Sequence, residues 1–348
     1  MECINPLWAL KEIDYKKTQT NKDGKTYHKM TNWHSAKNFT PTKEMQIAEI
    51  INGRVWTKIP CGECWCCRLN YASQWADRCI DEASQYKNNY FVTLTYDNEH
   101  LPTAQGINKS TGEVGEVGTL KKEDLQKFMK DLRSYYKYHY KHEGIRFYAC
   151  GEYGDKYARP HYHLIIFNLP IEDLKKDHNS RRGQLIYRSE IIEKIWGKGL
   201  SGIGEVTWES ASYTARYVMK KLKGLKAKEY EELGITPEFV NMSLKPGIGG
   251  NWYKEHKEHI YQTDYITRLR KDKIIQKKPS KYYDKLYDIE EPEQMKKIKS
   301  KRKQNNAKKE MFKLDETDMN LEQYYIQLQN ITNKKVQRLH RGYEKTGY

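Results

Sequence analysis

The feature that most constrains the fold is an alternation of strand and helix patterns between residues 88 and 222. β-Branched and aromatic residues dominate the runs 90–96, 146–150 and 161–167, and each run predicts a strand. The segment 151–156, between the last two runs, has the turn chemistry of a hairpin. Strands mixed with helices and joined by an antiparallel hairpin predict an α+β domain rather than a doubly wound fold.

Apolar residues at helical spacing separate these strands. Thr119 is a candidate N-cap for the helix that follows it. The glycine-rich, polar stretch 103–118 predicts a loop, and 203–208 predicts a short strand. Helices are predicted over 68–86, 125–136, 188–196 and about 211–222.

Composition suggests four segments along the chain. An N-terminal extension with a cysteine cluster and a helix spans 1–87, and the α+β domain spans 88–225. Residues 226–290 form a C-terminal appendage with a weaker pattern. The remainder, 291–348, is rich in Lys, Glu, Gln and Asn, which predicts a charged tail that is helical or partly disordered.

The charge balance favours a polyanionic partner. Lys and Arg total 62 against 46 Asp and Glu, a net charge of +16. Nucleic acid is the commonest polyanion, although a basic but otherwise ordinary surface would have the same composition. No run approaches the roughly 18 apolar residues of a membrane span, and no signal peptide is recognisable, so we expect no membrane partner and a cytoplasmic protein.

Two histidines on one predicted strand are candidate metal ligands. His161 and His163 are two residues apart, so their side chains point to the same face, whereas Tyr162 points to the other. Glu152 lies nine residues before His161, and a tight hairpin would place its carboxylate beside the histidines. Two imidazoles and an acid suit Mg²⁺ or Mn²⁺. The alternatives are two histidines at the wet end of an ordinary strand and an exposed glutamate in a turn.

A predicted helix carries the candidate nucleophiles. At about 100° per residue, Tyr213, Tyr217 and Lys220 fall within roughly 60° of one another, opposite an apolar face. A tyrosine attacks a phosphate well when a metal polarises the phosphate and a nearby lysine neutralises developing charge. The alternative is a pair of amphipathic surface tyrosines, which is plausible in a chain with 28 tyrosines.

Together these motifs resemble those of the HUH endonucleases. His161-Tyr162-His163 is similar to the HUH motif of rolling-circle replication initiators, and Tyr213-x-x-x-Tyr217-x-x-Lys220 looks like their two-tyrosine motif. Residues 91–102 resemble their first motif, and the order of the three motifs also matches. The resemblance extends over about residues 55–290 and is greatest to the initiators of the microviruses, single-stranded DNA phages, in particular the gokushovirus group.

This resemblance implies a fold and an activity. The fold would be a central antiparallel sheet that carries the histidines, with flanking helices, one of which bears the tyrosines. One tyrosine would attack single-stranded origin DNA and remain attached to the new 5′ end, and the second would allow a later cut that releases a circle. The host helicase and polymerase would be partners in the bacterial cytoplasm. A related transposase or relaxase, or a non-catalytic DNA-binding or packaging protein, are the alternatives.

A cysteine segment stands apart from these motifs. Cys61, Cys64 and Cys67 have the spacing C-x₂-C-x₂-C, and thiolates at such spacing can hold zinc. Structural zinc needs four ligands, so Cys79, Cys150 or a histidine would have to complete the site. Free thiols in a reducing compartment are the alternative reading.

Overall fold

The structure is a computed structural model that describes the greater part of the chain. The chain divides into two compact units, one with residues 1–70 and 301–345 and the other with residues 71–300. The described residues are 3, 7–12, 18–20, 26–28, 30–34, 42–51, 54–62, 64–107, 114–154, 157–180, 183–217, 228–270 and 273–340.

Strands and helices are numbered in chain order. The strands are β1 (Leu7–Glu12), β2 (Thr18–Thr20), β3 (Thr26–His28), β4 (Met30–His34), β5 (Arg54–Ile59), β6 (Asn89–Thr95), β7 (Thr103–Ile107), β8 (Val114–Gly118), β9 (Arg146–Tyr153), β10 (Pro160–Phe167), β11 (Lys175–Asn179), β12 (Leu185–Arg188), β13 (Ser201–Glu205), β14 (Phe239–Met242), β15 (Ile266–Arg270) and β16 (Lys273–Lys277). The helices are α1 (Lys43–Ile51), α2 (Trp65–Ala83), α3 (Lys122–Tyr140), α4 (Glu190–Trp196), α5 (Trp208–Tyr217), α6 (Lys228–Glu232), α7 (Gly250–Thr263), α8 (Lys281–Glu290), α9 (Pro292–Asp315) and α10 (Leu321–His340).

A seven-stranded sheet forms the centre of the second unit. Its order is β11-β12-β13-β6-β10-β9-β14, and its paired strands are antiparallel. The predicted α+β fold with a central antiparallel sheet and flanking helices is therefore confirmed. Strand β14 comes from the segment predicted as an appendage but forms an edge of this sheet, because its backbone pairs with β9.

Helices cover both faces of the sheet. On one face, Tyr162, Leu164 and Ile166 of β10 pack in a cluster that includes residues of α3 and α4. On the other face, Ile165 and Phe167 pack with small residues of α2 and α5. These five side chains are fully buried, and each large apolar one contributes about 2 kcal/mol to stability. The alternation of β10 therefore fixes which residues face each helical layer.

The start of α5 differs from the predicted boundary. Strand β13 ends at Glu205, and Trp208 begins the helix rather than ending a strand. Thr207 and Ser210 form a reciprocal cap, because each backbone N–H donates to the hydroxyl oxygen of the other residue, at 2.9 Å and 3.1 Å. The cap stabilises the helix start, whereas the β-branched run before it suggested a longer strand.

The prediction of a loop over 103–118 was wrong. β7 and β8 pair as an antiparallel hairpin from Thr103 opposite Gly118 to Ile107 opposite Val114. Glycine is used here for close backbone approach: a Cβ on Gly106 would lie 3.1 Å from the carbonyl oxygen of Leu233. Because backbone contacts replace side-chain packing, the hairpin lacks the apolar alternation that identifies a strand.

Thr119 is not the N-cap of α3. That position belongs to Lys121, which has no capping side-chain bond. The Thr119 hydroxyl instead accepts a hydrogen bond from the backbone N–H of Thr236, at 2.9 Å. The Lys121 N–H donates to the hydroxyl oxygen of Tyr162, at 3.0 Å, so a strand residue takes over part of the work of a cap.

The first unit is built differently from the second. Its three-stranded antiparallel sheet has the order β4-β1-β5, with a small apolar cluster of Trp8, Leu10 and Trp56. Within its described residues the charged tail is helical, in the end of α9 and in α10. The two units differ from the four predicted segments, since the tail groups with the N-terminal residues and the boundary near residue 87 falls beyond α2. Across the described ranges, none of the helices is both long enough and apolar enough to cross a membrane.

Candidate functional site

The histidine strand has one chemical face and one anchoring face. His161 and His163 lie on the face opposite Tyr162, as the alternation of a strand requires. The Tyr162 hydroxyl donates to the carbonyl oxygen of Lys121 and lies 2.8 Å from the hydroxyl of Tyr96. Burial raises the pKa of Tyr162 to about 12, which keeps its hydroxyl protonated as a hydrogen-bond donor. These bonds fix the position of the strand between its two histidines.

Glu152 lies directly opposite His161 in the β9–β10 hairpin. One carboxylate oxygen, Oε1, is 3.0 Å from Nε2 of His161, and the other, Oε2, is 3.9 Å from Nε2 of His163. Glu152 is 2% exposed and His163 is 5% exposed, so this carboxylate lies in a largely water-excluded position. The hairpin thus brings together the three residues that the sequence pattern singled out as metal ligands.

The other ring nitrogens of both histidines are held in place. Nδ1 of His161 is 3.0 Å from the carbonyl oxygen of Arg159, which can only accept, so Nδ1 carries the proton. Nδ1 of His163 is 3.0 Å from the hydroxyl of Thr93. Both rings therefore turn Nε2 toward Glu152. Metal-ligating histidines have this arrangement, in which the remote nitrogen is bonded to a second group that fixes the tautomer.

The geometry fits a divalent cation. One potential ligand atom from each of Glu152, His161 and His163 lies within 4.8 Å of the others. A cation bound at Nε2 of His161 would replace the proton that this nitrogen shares with Glu152. Two imidazole nitrogens and one carboxylate leave coordination positions for water and phosphate oxygens, a donor set that is compatible with Mn²⁺ or Mg²⁺. Their roles as ligands remain a prediction.

Tyr213 lies beside the histidines. Its ring centroid is 5.2 Å from that of His163 and 6.3 Å from that of Phe91, both in edge-to-face arrangements. Ala211 and Ala215 are fully buried on the sheet side of α5, and their small side chains let this helix lie close to β9 and β10. Tyr213 is partly exposed, so its ring contacts the histidine layer while solvent reaches the side chain.

The other two predicted catalytic residues are less fully defined. Tyr217 is the last residue of α5, one helical turn after Tyr213, and its side chain lies outside the described part. Lys220 lies outside the described residues altogether. Both roles therefore remain predictions from the sequence pattern.

The sequence pattern missed two residues on β6 that support the site. Thr93 is the cross-strand partner of His163 and contacts its Nδ1. Phe91 stacks on the same imidazole, with centroids 5.5 Å apart and ring planes 14° apart. Both lie in the run that resembles the first motif, and their i, i+2 spacing puts them on one face. Only the register of β6 against β10 shows which histidine they contact.

The remainder of that first motif pairs internally. The His100 backbone N–H donates to Asp97 Oδ1 at 2.8 Å, and its Nδ1 lies 2.8 Å from the same oxygen. The backbone and side-chain hydrogen bonds from His100 lower the pKa of Asp97. Both side chains are exposed, so this pair fixes the turn that follows β6.

The cysteine cluster has a member that the sequence pattern did not suggest. Sulfur atoms of Cys61, Cys64 and Cys67 gather with that of Cys3, and all four lie within 4.8 Å of one another. The expectation that Cys79, Cys150 or a histidine completes the set was wrong, since both cysteines are fully buried in the second unit. The signal for Cys3 was weak because it lies 58 positions before Cys61.

Comparisons with known proteins place the chain among phage replication proteins. Residues 89–222 match the family of the replication-associated protein ORF2. The chain is 40% identical over 234 residues to replication-associated protein ORF2 of Spiroplasma virus 4, which covers 67% of this chain and 68% of the relative. Replication-associated protein VP4 of Bdellovibrio phage phiMH2K is 35% identical over 210 residues, or 60% of this chain and 61% of the relative. Replication-associated protein ORF4 of Chlamydia phage 1 is 34% identical over 167 residues, or 47% and 38%. No solved structure matches the chain.

Proposed function

Because the chain belongs to the replication-associated protein ORF2 family, we propose that it initiates rolling-circle replication by cutting single-stranded DNA at an origin. The observation that carries the proposal is the contact between Tyr213 and His163, which puts a phenol next to a candidate metal-binding triad. A net charge of +16 supports binding to a polyanionic strand.

His161, His163 and Glu152 would hold the divalent cation. When bound, the cation would polarise the scissile phosphate and orient it for attack. Thr93 and the Arg159 carbonyl hold the two imidazoles so that Nε2 faces the cation. Burial of Glu152 strengthens its electrostatic interaction with a cation, since the surroundings have a low dielectric constant.

Tyr213 would be the nucleophile. Its phenolic oxygen forms a bond to phosphorus while the bond from phosphorus to the 3′ oxygen breaks. The phenol loses its proton and the departing 3′ oxygen gains one, so the products are a 5′-phosphotyrosine and a free 3′-hydroxyl that primes synthesis. The phosphotyrosine retains the energy of the broken linkage for a later rejoining step.

Tyr217 would serve the second cut. It lies one turn further along α5, within reach of the same surface. Attack by this second phenol on the regenerated origin would release the first tyrosine and join a unit-length circle. Lys220 would neutralise the charge that develops on the phenolate or the phosphate.

The test is a covalent adduct. The full chain is incubated with labelled single-stranded origin DNA and Mn²⁺, and the denatured products are separated by size. We expect a DNA–protein adduct that is lost in the Tyr213→Phe/Tyr217→Phe double variant. The control is Tyr138→Phe, since Tyr138 is 74% exposed on α3, and its adduct should match that of the wild type.

Two results would reject the proposal. One is the absence of an adduct with the wild-type chain, and the other is an adduct that persists undiminished in the double variant. The His161→Ala and His163→Ala variants should lose cleavage more than DNA binding. Equal loss of both activities would assign the histidines a structural role.

A further inference from the structure

Four cysteines converge in the first unit, and none of them belongs to the candidate metal-binding triad. Sγ of Cys3 lies 3.6 Å from Sγ of Cys61 and 3.7 Å from Sγ of Cys64, and Cys67 completes the group. All four residues belong to the unit formed by 1–70 and 301–345. The proposed nicking reaction uses none of them.

The strand register explains how Cys3 reaches the others. β1 and β5 are antiparallel, with Leu7 opposite Ile59. Extending this register by four residues carries position 3 to the level of position 63, in the middle of the Cys61–Cys64 turn. The convergence therefore follows from the pairing of two strands and does not depend on one side-chain conformation.

The backbone around the sulfur atoms is arranged to stabilise negative charge. The Cys64 N–H donates to Sγ of Cys61 at 3.2 Å, and the Cys61 N–H donates to Sγ of Cys3 at 3.4 Å. Between them Gly62 has φ +76°, a left-handed conformation that glycine adopts without strain. Cys67 lies in the first turn of α2, where the helix dipole favours a thiolate.

We propose that Cys3, Cys61, Cys64 and Cys67 bind a structural zinc ion. With Zn–S bonds of about 2.3 Å, the sulfur atoms of a tetrahedral site are about 3.8 Å apart. The two Sγ–Sγ distances from Cys3, 3.6 Å and 3.7 Å, agree with this edge length. Four thiolates complete the coordination of zinc, so the site has no open position for substrate and is structural.

The first unit has a clear need for such a cross-link. Its apolar cluster contains three described residues, Trp8, Leu10 and Trp56, too few to hold a domain by burial alone. The proposed zinc ion joins the segment before β1 to the turn after β5 and to the start of α2. A disulfide would join only two of these four cysteines, and all seven cysteines of the chain are free thiols.

The test measures zinc in the intact chain. Full-length protein is purified without added metal, its zinc content is determined, and the coordination shell is measured by X-ray absorption. We expect about one zinc per chain with four sulfur ligands. In Cys3→Ser and Cys64→Ser, zinc content should fall below about a tenth of the wild-type value, or the shell should lose a sulfur.

Two controls separate this site from others. Cys66→Ser removes a buried thiol from the same segment that does not belong to the group, and it should keep its zinc. The His161→Ala/His163→Ala double variant should also keep it, because the two groups share no residues.

Three results would overturn the proposal. The first is wild-type protein without zinc, and the second is zinc with nitrogen ligands that disappears in the histidine double variant. The third is Cys3→Ser protein that keeps one zinc with an unchanged four-sulfur shell. Since the X-ray absorption measurement uses only wild-type protein, the proposal remains testable even where a cysteine variant fails to fold.

Discussion

Thr93 should control the metal affinity of the proposed site without taking part in the chemistry. The substitution Thr93→Val removes the hydroxyl that lies 3.0 Å from Nδ1 of His163 and leaves a side chain of similar volume. The imidazole then loses the partner that selects its tautomer. Loss of such a supporting group typically reduces metal affinity or activity by about 10- to 100-fold.

The surrounding rings place the expected effect at the lower end of this range. Phe91 stacks on the His163 ring at 5.5 Å, and Tyr213 contacts it at 5.2 Å, so the ring stays in its plane after the hydrogen bond is lost. What remains is the cost of selecting the tautomer. We therefore expect about a 10-fold loss of affinity, or about 1.4 kcal/mol, and a loss in folding stability of about 1 kcal/mol.

The assay is the rate of cleavage of origin single-stranded DNA as a function of Mn²⁺ concentration. The half-saturating concentration should rise about 10-fold in Thr93→Val, whereas the rate at saturating Mn²⁺ should stay within about 2-fold of the wild type. Thr95→Val is the matched control. It lies on the same strand and face, but its hydroxyl donates to the carbonyl oxygen of Leu200, at 3.2 Å.

An unchanged half-saturating concentration in Thr93→Val would refute the reasoning. An equal rise in Thr95→Val would do so as well, because a general weakening of β6 would then explain both results. A fall in the saturating rate alone would place Thr93 in a step after metal binding.

Two further predictions concern stability. Gly199 has φ +141°, and a Cβ there would lie 2.4 Å from the carbonyl oxygen of Thr95, so Gly199→Ala should cost about 3 kcal/mol in thermal unfolding; Gly202→Ala, whose Cβ would meet its nearest atom at 3.6 Å, should cost less than about 1 kcal/mol, and equal losses would contradict the steric argument. Arg268 forms a bidentate ion pair with buried Asp81, so Arg268→Ala should cost about 3–5 kcal/mol in urea denaturation at neutral pH. Burial raises the pKa of Asp81, and loss of the guanidinium raises this pKa further, so the folded variant binds a proton more readily than the unfolded chain and the deficit should shrink as pH is lowered. A deficit that grows on acidification would contradict this assignment.

Local periodicity was enough to predict the parts of the site that lie on single elements. The shared face of His161 and His163 follows from the two-residue repeat of a strand. The position of Tyr213 opposite the apolar face of its helix follows from 3.6 residues per turn. In both cases the prediction needed only the type of element, which aromatic and β-branched content or a clear apolar stripe identifies.

Features that depend on pairing between distant segments could not be predicted in this way. Thr93 contacts His163 because β6 pairs with β10 in one particular register, 70 residues apart. Cys3 meets Cys61 for the same reason, through the pairing of β1 with β5. Glu152 is intermediate, since its position required only that a short turn close the hairpin. The β7–β8 hairpin was missed because its glycines pack by backbone contact and leave no apolar repeat.

The alternation along β10 also has a genetic consequence. Substitutions at Tyr162 and Leu164 alter the packing against α3 and α4, so mutant alleles at these positions should be temperature-sensitive. Conservative substitutions at His161 and His163 alter the donor set, so some alleles there should be rescued by more Mn²⁺ and not by cooling. Over these four codons a phage mutant screen should therefore yield two phenotypes in strict alternation.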